Sequence, residues 1–271
     1  MVATRTTRQT LASATPSEIR RAIREGAWTD HTVGFAAGFV QTNLVILPRE
    51  MAYDFLLFCV RNPKPCPLVD VTDAGSPIPA RAAPGADLRT DLPRYRVYEY
   101  GELVEEPVSI AHRWREDLVG FLLGCSYTFE HALIEAGVRL RHVEQGTNVP
   151  VFRTRRDCLP AGVFHGPLVV SMRPIRGDQV GRAIEVTSRY PKAHGAPVWV
   201  GDPGALGTAD LGRPDWGEPV RIEDGEVPVF WACGVTPQAV AGQTRPPLMM
   251  THAPGHMFIT DIPIGALGAE F

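Results

Sequence analysis

Two places along the chain share one order: an apolar run, a break of small residues, then helical spacing. In the first, Phe121-Leu122-Leu123 stops at Gly124. Cys125, Ser126 and Thr128 follow, and Glu130, His131, Leu133 and Ile134 continue with helical periodicity. In the second, Val229-Phe230-Trp231-Ala232 runs into Cys233-Gly234-Val235-Thr236-Pro237-Gln238. Thr236 suits a helix cap and Pro237 the first helical position. The first amides of a helix lack partners inside it and carry the positive end of its dipole. Two such starts opening on one pocket would suit a small dicarboxylate. Two ordinary buried turns would give the same spacing.

The remaining pattern predicts a helix-rich first half and a strand-rich second half. Thr15-Pro16-Ser17-Glu18 is a capping box that opens a helix over 16–25, ended by Gly26. Residues 32–47 are apolar except for Gln41, Thr42 and Asn43, which are either paired core groups or pocket groups. Pro48 starts a helix with Ala52, Phe55, Leu56 and Cys59 on one stripe, and Asn62-Pro63 stops it. Residues 68–71 and 95–98 read as strands. The Pro- and Gly-rich segment 73–93 between them reads as a long loop of the kind that forms lids. Residues 111–123 read as helical. Strands are expected at 138–143, 149–154, 166–174, 196–200, 228–231 and after the turn at Pro254-Gly255, with a helix over 178–190. Helices and strands do not alternate as βαβα, so the expected class is α+β with mixed sheets and flanking helices.

Composition narrows the class of protein. The chain has 271 residues, 44% of them hydrophobic and 21% charged, which fits one globular domain over 15–271, or two intimate lobes, behind a flexible tail of residues 1–14. Net charge is −3, which argues against nucleic acid or an anionic membrane as partner. Five cysteines form no CxxC pair, so a reduced, cytoplasmic chain is expected. No apolar run is long enough for a membrane span. Oligomeric state is left open, a homo-oligomer included.

Motifs for dinucleotides, P-loop phosphates and helical zinc proteases are missing. Gly124-Cys125-Ser126-Tyr127-Thr128 is close to a GxSxG nucleophile elbow, but Thr128 replaces the last glycine. His252 and His256 flank Ala253-Pro254-Gly255, with Asp261 five residues on. This trio suits acid–base work, simple structural hydrogen bonding or a divalent cation, although no cofactor is otherwise expected. Arg173, or Lys192 beside Tyr190 and His194, is a candidate partner for a substrate carboxylate. Asn148 could orient a substrate amide or form an Asx-turn.

Taken together, a set of segments in order resembles a bacterial hydro-lyase family that also supplies the catalytic domain of D-glutamate cyclase. They are Gly38-Phe39-Val40-Gln41-Thr42-Asn43-Leu44-Val45-Ile46-Leu47-Pro48, Asn62-Pro63-Lys64-Pro65-Cys66-Pro67-Leu68, Gly124 to Glu130, Asn148-Val149-Pro150, Ser171-Met172-Arg173-Pro174, Cys233 to Gln238 and Thr251 to Met257. They cover nearly the whole chain, and Thr42 stands where the family usually has Ala. The resemblance implies loss of water from D-glutamate to give 5-oxo-D-proline, but carries over no catalytic residues.

That reaction needs a base for the α-amine, stabilisation of a poorly electrophilic γ-carboxyl and a bent substrate. The residues offer Glu130 or His252 as base and Tyr127 or His256 as proton donor. Ser126, Thr128, Asn148, Arg173, Thr236 and Gln238 would bind the substrate. Two other readings are an acyl-transfer hydrolase using Cys125 or Ser126, and a carboxylate-binding protein without turnover.

Overall fold

A computed structural model describes residues 7–208 and 210–268. Its elements run α1 (Arg8–Ala12), α2 (Pro16–Arg24), β1 (Phe39–Pro48), α3 (Arg49–Arg61), β2 (Leu68–Val71), β3 (Tyr95–Glu99), β4 (Glu102–Glu105), β5 (Leu118–Gly124), α4 (Tyr127–Glu135) and α5 (Arg141–Gln145). Then follow β6 (Val151–Asp157), β7 (Pro167–Arg176), α6 (Val180–Ser188), β8 (Trp199–Val200), β9 (Glu226–Ala232), α7 (Thr236–Thr244), β10 (Met249–His252) and β11 (Phe258–Pro263). The strands form two sheets. One has the order β2-β5-β1-β10-β3-β4, with β11 also pairing β1, and the other β6-β7-β9-β8. The class is α+β. Every strand pairing among the described residues is antiparallel, so the sheets are not of mixed direction as expected.

The larger sheet is built on β1, which is buried along nearly its whole length. A strand covered on both faces shows no polar alternation, and its neighbour β5 has the same character. That explains why 111–123 reads as helix but is not one. Only Ala111–Arg113 makes a single 3-10 turn, and Leu118–Gly124 is a strand. A short continuous apolar run fits either period. The expected strand over 138–143 is likewise replaced by α5, which Gly146 ends in the left-handed conformation. Among the described residues, five of the seven α-helices precede residue 150, but so do five of the eleven strands; the first half is therefore not helical at the expense of strand.

Other expectations hold with small shifts. Thr15 and Glu18 form the capping box of α2, and α3 begins directly after Pro48. Segment 73–93 has no strand or helix, yet it is no loose lid. Ala82, Ala83, Leu88 and Leu92 are fully buried, Asp70 accepts from the amides of Arg81 and Ala82, and Arg24 pairs with Asp91 at 2.6 Å. Residues 1–6 of the expected tail lie outside the described residues. Residues 8–12 are helical, and Leu11 is buried with Ile19, Ile23 and Phe35. The amphipathic face of α2 gives that leucine a surface to cover.

The principal core joins both sheets: Leu44, Leu122 and Met250 from the larger meet Ile175, Val229 and Trp231 from the smaller, with Phe129 of α4 among them. The starts of α4 and α7 sit at this junction.

A candidate active site beside two closed helix starts

The two helix starts do converge. Asn43 of β1 lies opposite Leu123 of β5, and its amide nitrogen donates to the carbonyls of Leu123 (3.3 Å) and Gly124 (2.8 Å). A Cβ built on Gly234, before α7, would lie 2.0 Å from that same nitrogen. Cys125, Tyr127, Cys233 and Val235 accordingly share one cluster with Val149 and Met257.

Their amides, however, do not await an anion. Tyr127 N–H donates to Cys125 Sγ at 3.5 Å, Thr128 N–H to Cys125 O at 3.1 Å and Phe129 N–H to Ser126 O at 3.1 Å. In the second start, Thr236 N–H reaches Cys233 O at 3.0 Å and Gln238 N–H reaches Val235 O at 2.9 Å. Tight turns leading into each helix satisfy the donors locally. The crevice beside Tyr127, Thr128 and Glu130 holds only about 60 Å³. The expectation that these starts grip carboxylates is thus corrected: they are closed structural turns.

Several of the expected site residues have structural partners here. Arg173 of β7 is buried between the rings of Phe129 and Trp231. It donates to Ser171 Oγ (3.0 Å), Ser126 Oγ (2.9 Å) and Glu130 Oε1 (2.5 Å). His142 of α5 approaches the same Oε1 at 2.8 Å. Burial alone would raise the Glu130 pKa, but His142 and Arg173 outweigh it and hold the carboxyl at about 2. A carboxylate this acidic is a poor acceptor of an ammonium proton. Thr128 Oγ1 bonds the backbone of Gln41, and Thr236 Oγ1 donates to Cys233 O at 2.7 Å while accepting from Val169 N–H. Gln238 donates to His252 O at 2.9 Å and accepts from the Tyr98 hydroxyl.

His252 fills the gap where β1 exchanges β10 for β11 as its neighbour. Its Nδ1 lies 3.2 Å from Leu44 N–H and 3.3 Å from Leu44 O, and its Nε2 is buried without a hydrogen-bond partner among the described residues. Burial pushes its pKa down to about 3. Asp261 pairs with Arg20 at 2.9 Å, so the expected trio with His252 and His256 does not form. Among the described residues no group of three or more His, Cys, Asp or Glu side chains is placed to hold a metal. His194 bonds Lys64 O at 2.6 Å, and Lys192 donates to Leu68 O at 3.0 Å. Burial raises both the Cys125 and the Cys233 thiol, the latter to about 11, which disfavours a nucleophilic thiolate.

The Tyr127 hydroxyl donates to Asn148 Oδ1, and the other two candidates, Asn148 and His256, line a cavity of about 480 Å³ together with Asp30, His31, Arg94, Arg96, Trp216 and Glu218. That size lies within the roughly 300–1,000 Å³ of small-molecule sites. Another cavity, of about 500 Å³ beside Arg139 and Arg176, presents cations already paired with Glu144 and Asp178.

Short local bonds build the walls of the first. Ala253 N–H donates to Arg94 O at 2.9 Å, holding the turn that carries His256 against the residue before β3. Fully buried Thr32 accepts from Met257 N–H at 3.1 Å and donates to Gly255 O at 3.2 Å. Glu218 accepts from Asn148 N–H at 2.8 Å. Arg96 is neutralised by Glu106. The guanidinium of the half-buried Arg94 has no hydrogen-bond or ion-pair partner among the described residues. His256 Nδ1 lies 3.0 Å from the carbonyl of Pro254, which can only accept, so Nδ1 carries the proton and Nε2 is left basic. Burial lowers the His256 pKa, and Arg94 lowers it further. An unpaired guanidinium thus lies beside a neutral imidazole with a free lone pair. Neither Arg94 nor His31 belongs to a motif, and Leu92-Pro93-Arg94 reads only as a loop entering a strand.

Residues 119–261 match the family model described as D-glutamate cyclase. A protein of Rubrobacter xylanophilus named "Putative hydro-lyase" is 66% identical over 245 residues, 90% of this chain and 95% of the relative. The chain belongs to the D-glutamate cyclase family. A Stutzerimonas stutzeri relative of the same name is 60% identical over 93% of this chain and 96% of its own length. One from Bacillus subtilis is 57% identical over 91% and 96%. The expected bacterial hydro-lyase resemblance is confirmed over the length of the family, and with it a hydro-lyase enzyme by resemblance. No helix among the described residues is long and apolar enough to cross a membrane.

Proposed function

We propose that the chain removes water from a small amino dicarboxylic acid in the Arg94–His256 cavity, with D-glutamate as substrate and 5-oxo-D-proline as product. The unpaired Arg94 guanidinium supports this reading. A half-buried cation in a small-molecule cavity meets its electrostatic needs by taking a carboxylate, and its planar fork fits one. His256 Nε2 takes a proton from the substrate ammonium, freeing the amine. The amine attacks the γ-carboxyl carbon, so the C–N bond forms as charge moves to oxygen. One C–O bond then breaks. The two protons lost from nitrogen leave on the departing oxygen as water. Holding the chain bent in the cavity turns this into a favourable intramolecular step.

Raised thiol pKa values and the capture of Ser126 by Arg173 weigh against the acyl-transfer reading. Incubation of the purified protein with D- and L-amino and hydroxy dicarboxylic acids, read by mass spectrometry, tests the reading. A product lighter by one water from D-glutamate is expected. Tight binding without any such product from the whole panel would favour a carboxylate-binding protein.

A further inference from the structure

Resting on that reading, the geometry points to a division of labour between Asn148 and Tyr127: the Asn148 amide N–H₂ stabilises the oxygen of the reacting carboxyl, and Tyr127 is the positioning residue that fixes which end of the amide faces the cavity. Asn148 lines the cavity with Arg94 and His256, whereas Tyr127 lies in the apolar cluster behind it. The Tyr127 hydroxyl donates to Asn148 Oδ1, a bond that spans 21 residues of sequence. With its oxygen held by the tyrosine, the amide presents Nδ2 elsewhere. No hydrogen-bond partner for Nδ2 exists among the described residues.

The surroundings keep that donor in place. A Cβ built on Gly255, where φ is +83°, would lie 2.7 Å from Nδ2. Only the missing side chain at 255 lets the amide lie against the His256 turn. Glu218 holds the backbone of Asn148 from the other side at 2.8 Å. Burial raises the Tyr127 pKa well above the usual phenol range, so the hydroxyl remains a donor at neutral pH. A flipped amide would set its oxygen against the negative charge that develops on the carboxyl oxygen. Fixed donors aimed at developing charge are worth most where water is excluded. Tyr127 therefore gives up no proton to the substrate. It acts one residue removed, through the orientation of a neutral amide.

The test is the kinetics of D-glutamate dehydration in wild type, Tyr127→Phe, Asn148→Ala and the double variant, each checked for folding by its melting temperature. Asn148→Ala is expected to lower kcat about 100-fold, as for other single oxyanion donors. Tyr127→Phe should lower kcat about tenfold with KM changed less than about threefold, and the double variant should be no slower than Asn148→Ala. If Asn148→Ala misfolds, Asn148→Asp, which keeps the acceptor and loses the donor, takes its place. Wild-type kcat in Tyr127→Phe, or losses that multiply in the double variant, would overturn the inference and leave the proposed reaction standing. No dehydration by wild type would bring down both.

Discussion

Arg173 Nη2 and Glu130 Oε1 meet at 2.5 Å with both side chains almost sealed from water. Glu130 stands where helical spacing offers a base, yet it serves here as the counter-charge of a buried arginine. Removing one member of a buried pair strands the other, at a cost of about 3–5 kcal/mol. Glu130→Gln should lose about that much in urea denaturation. Combining it with Arg173→Met should cost clearly less than the two single losses added together. A Glu130→Gln protein of wild-type stability that has lost all turnover would instead restore Glu130 as the base.

Acid should weaken the fold before it reaches the carboxylates. Burial depresses His252 to about 3 and His194 to about 4 from an ordinary 6.5, so the unfolded chain binds the extra protons between those values. Stability is then fully present above pH 6.5 and is lost as pH falls, by up to about 1.4 kcal/mol per unit for each histidine. Glu130, depressed to about 2, adds a loss in the same direction below its ordinary 4.5. Denaturation at pH 7.5 and 5.5 should show the drop, and His252→Gln should reduce it. Equal stability at both pH values would rule the account out.

The closed turn at Gly124 should tolerate no side chain. A Cβ there would lie 1.7 Å from Lys192 O, whereas at Gly137 it would meet nothing within 4 Å, although φ is +79°. Gly124→Ala is expected to cost about 3 kcal/mol or more through forced displacement of backbone. Gly137→Ala should cost only about 1–2 kcal/mol from the left-handed conformation. Similar melting temperatures for the two variants would contradict this packing.

Turnover should follow the protonation of His256. Burial lowers its pKa below 6.5, so the neutral, proton-accepting form prevails at neutral pH. The kcat/KM profile should stay level down through pH 6.5 and fall at lower pH, and His256→Gln should remove that limb along with about 100-fold or more of the rate. An acid limb retained in His256→Gln would assign the base elsewhere.

Much of the fold could be read from local chemistry. The capping box at Thr15 and Glu18 and the apolar stripe after Pro48 act within a few residues, and both appear where expected. Segments such as Leu118–Gly124 could not be read, because a strand buried on both faces hides its period. Of the site, Asn148 and His256 were visible as residues beside turns, and both line the cavity. Arg94 was not, since its significance lies in what fails to pair with it once β3 and β10 bring it to His256. The helix starts misled for the opposite reason. Their spacing is right for anion binding, but Cys125 and Cys233 close the turns that precede them.

Calorimetry of D-glutamate binding to wild type and Arg94→Met, followed by turnover of both, addresses the proposed site most directly. Wild type should bind, and Arg94→Met should bind at least about 100-fold more weakly and raise KM accordingly while melting at the same temperature. Unchanged affinity and turnover in Arg94→Met would show that the substrate carboxylate is held somewhere else.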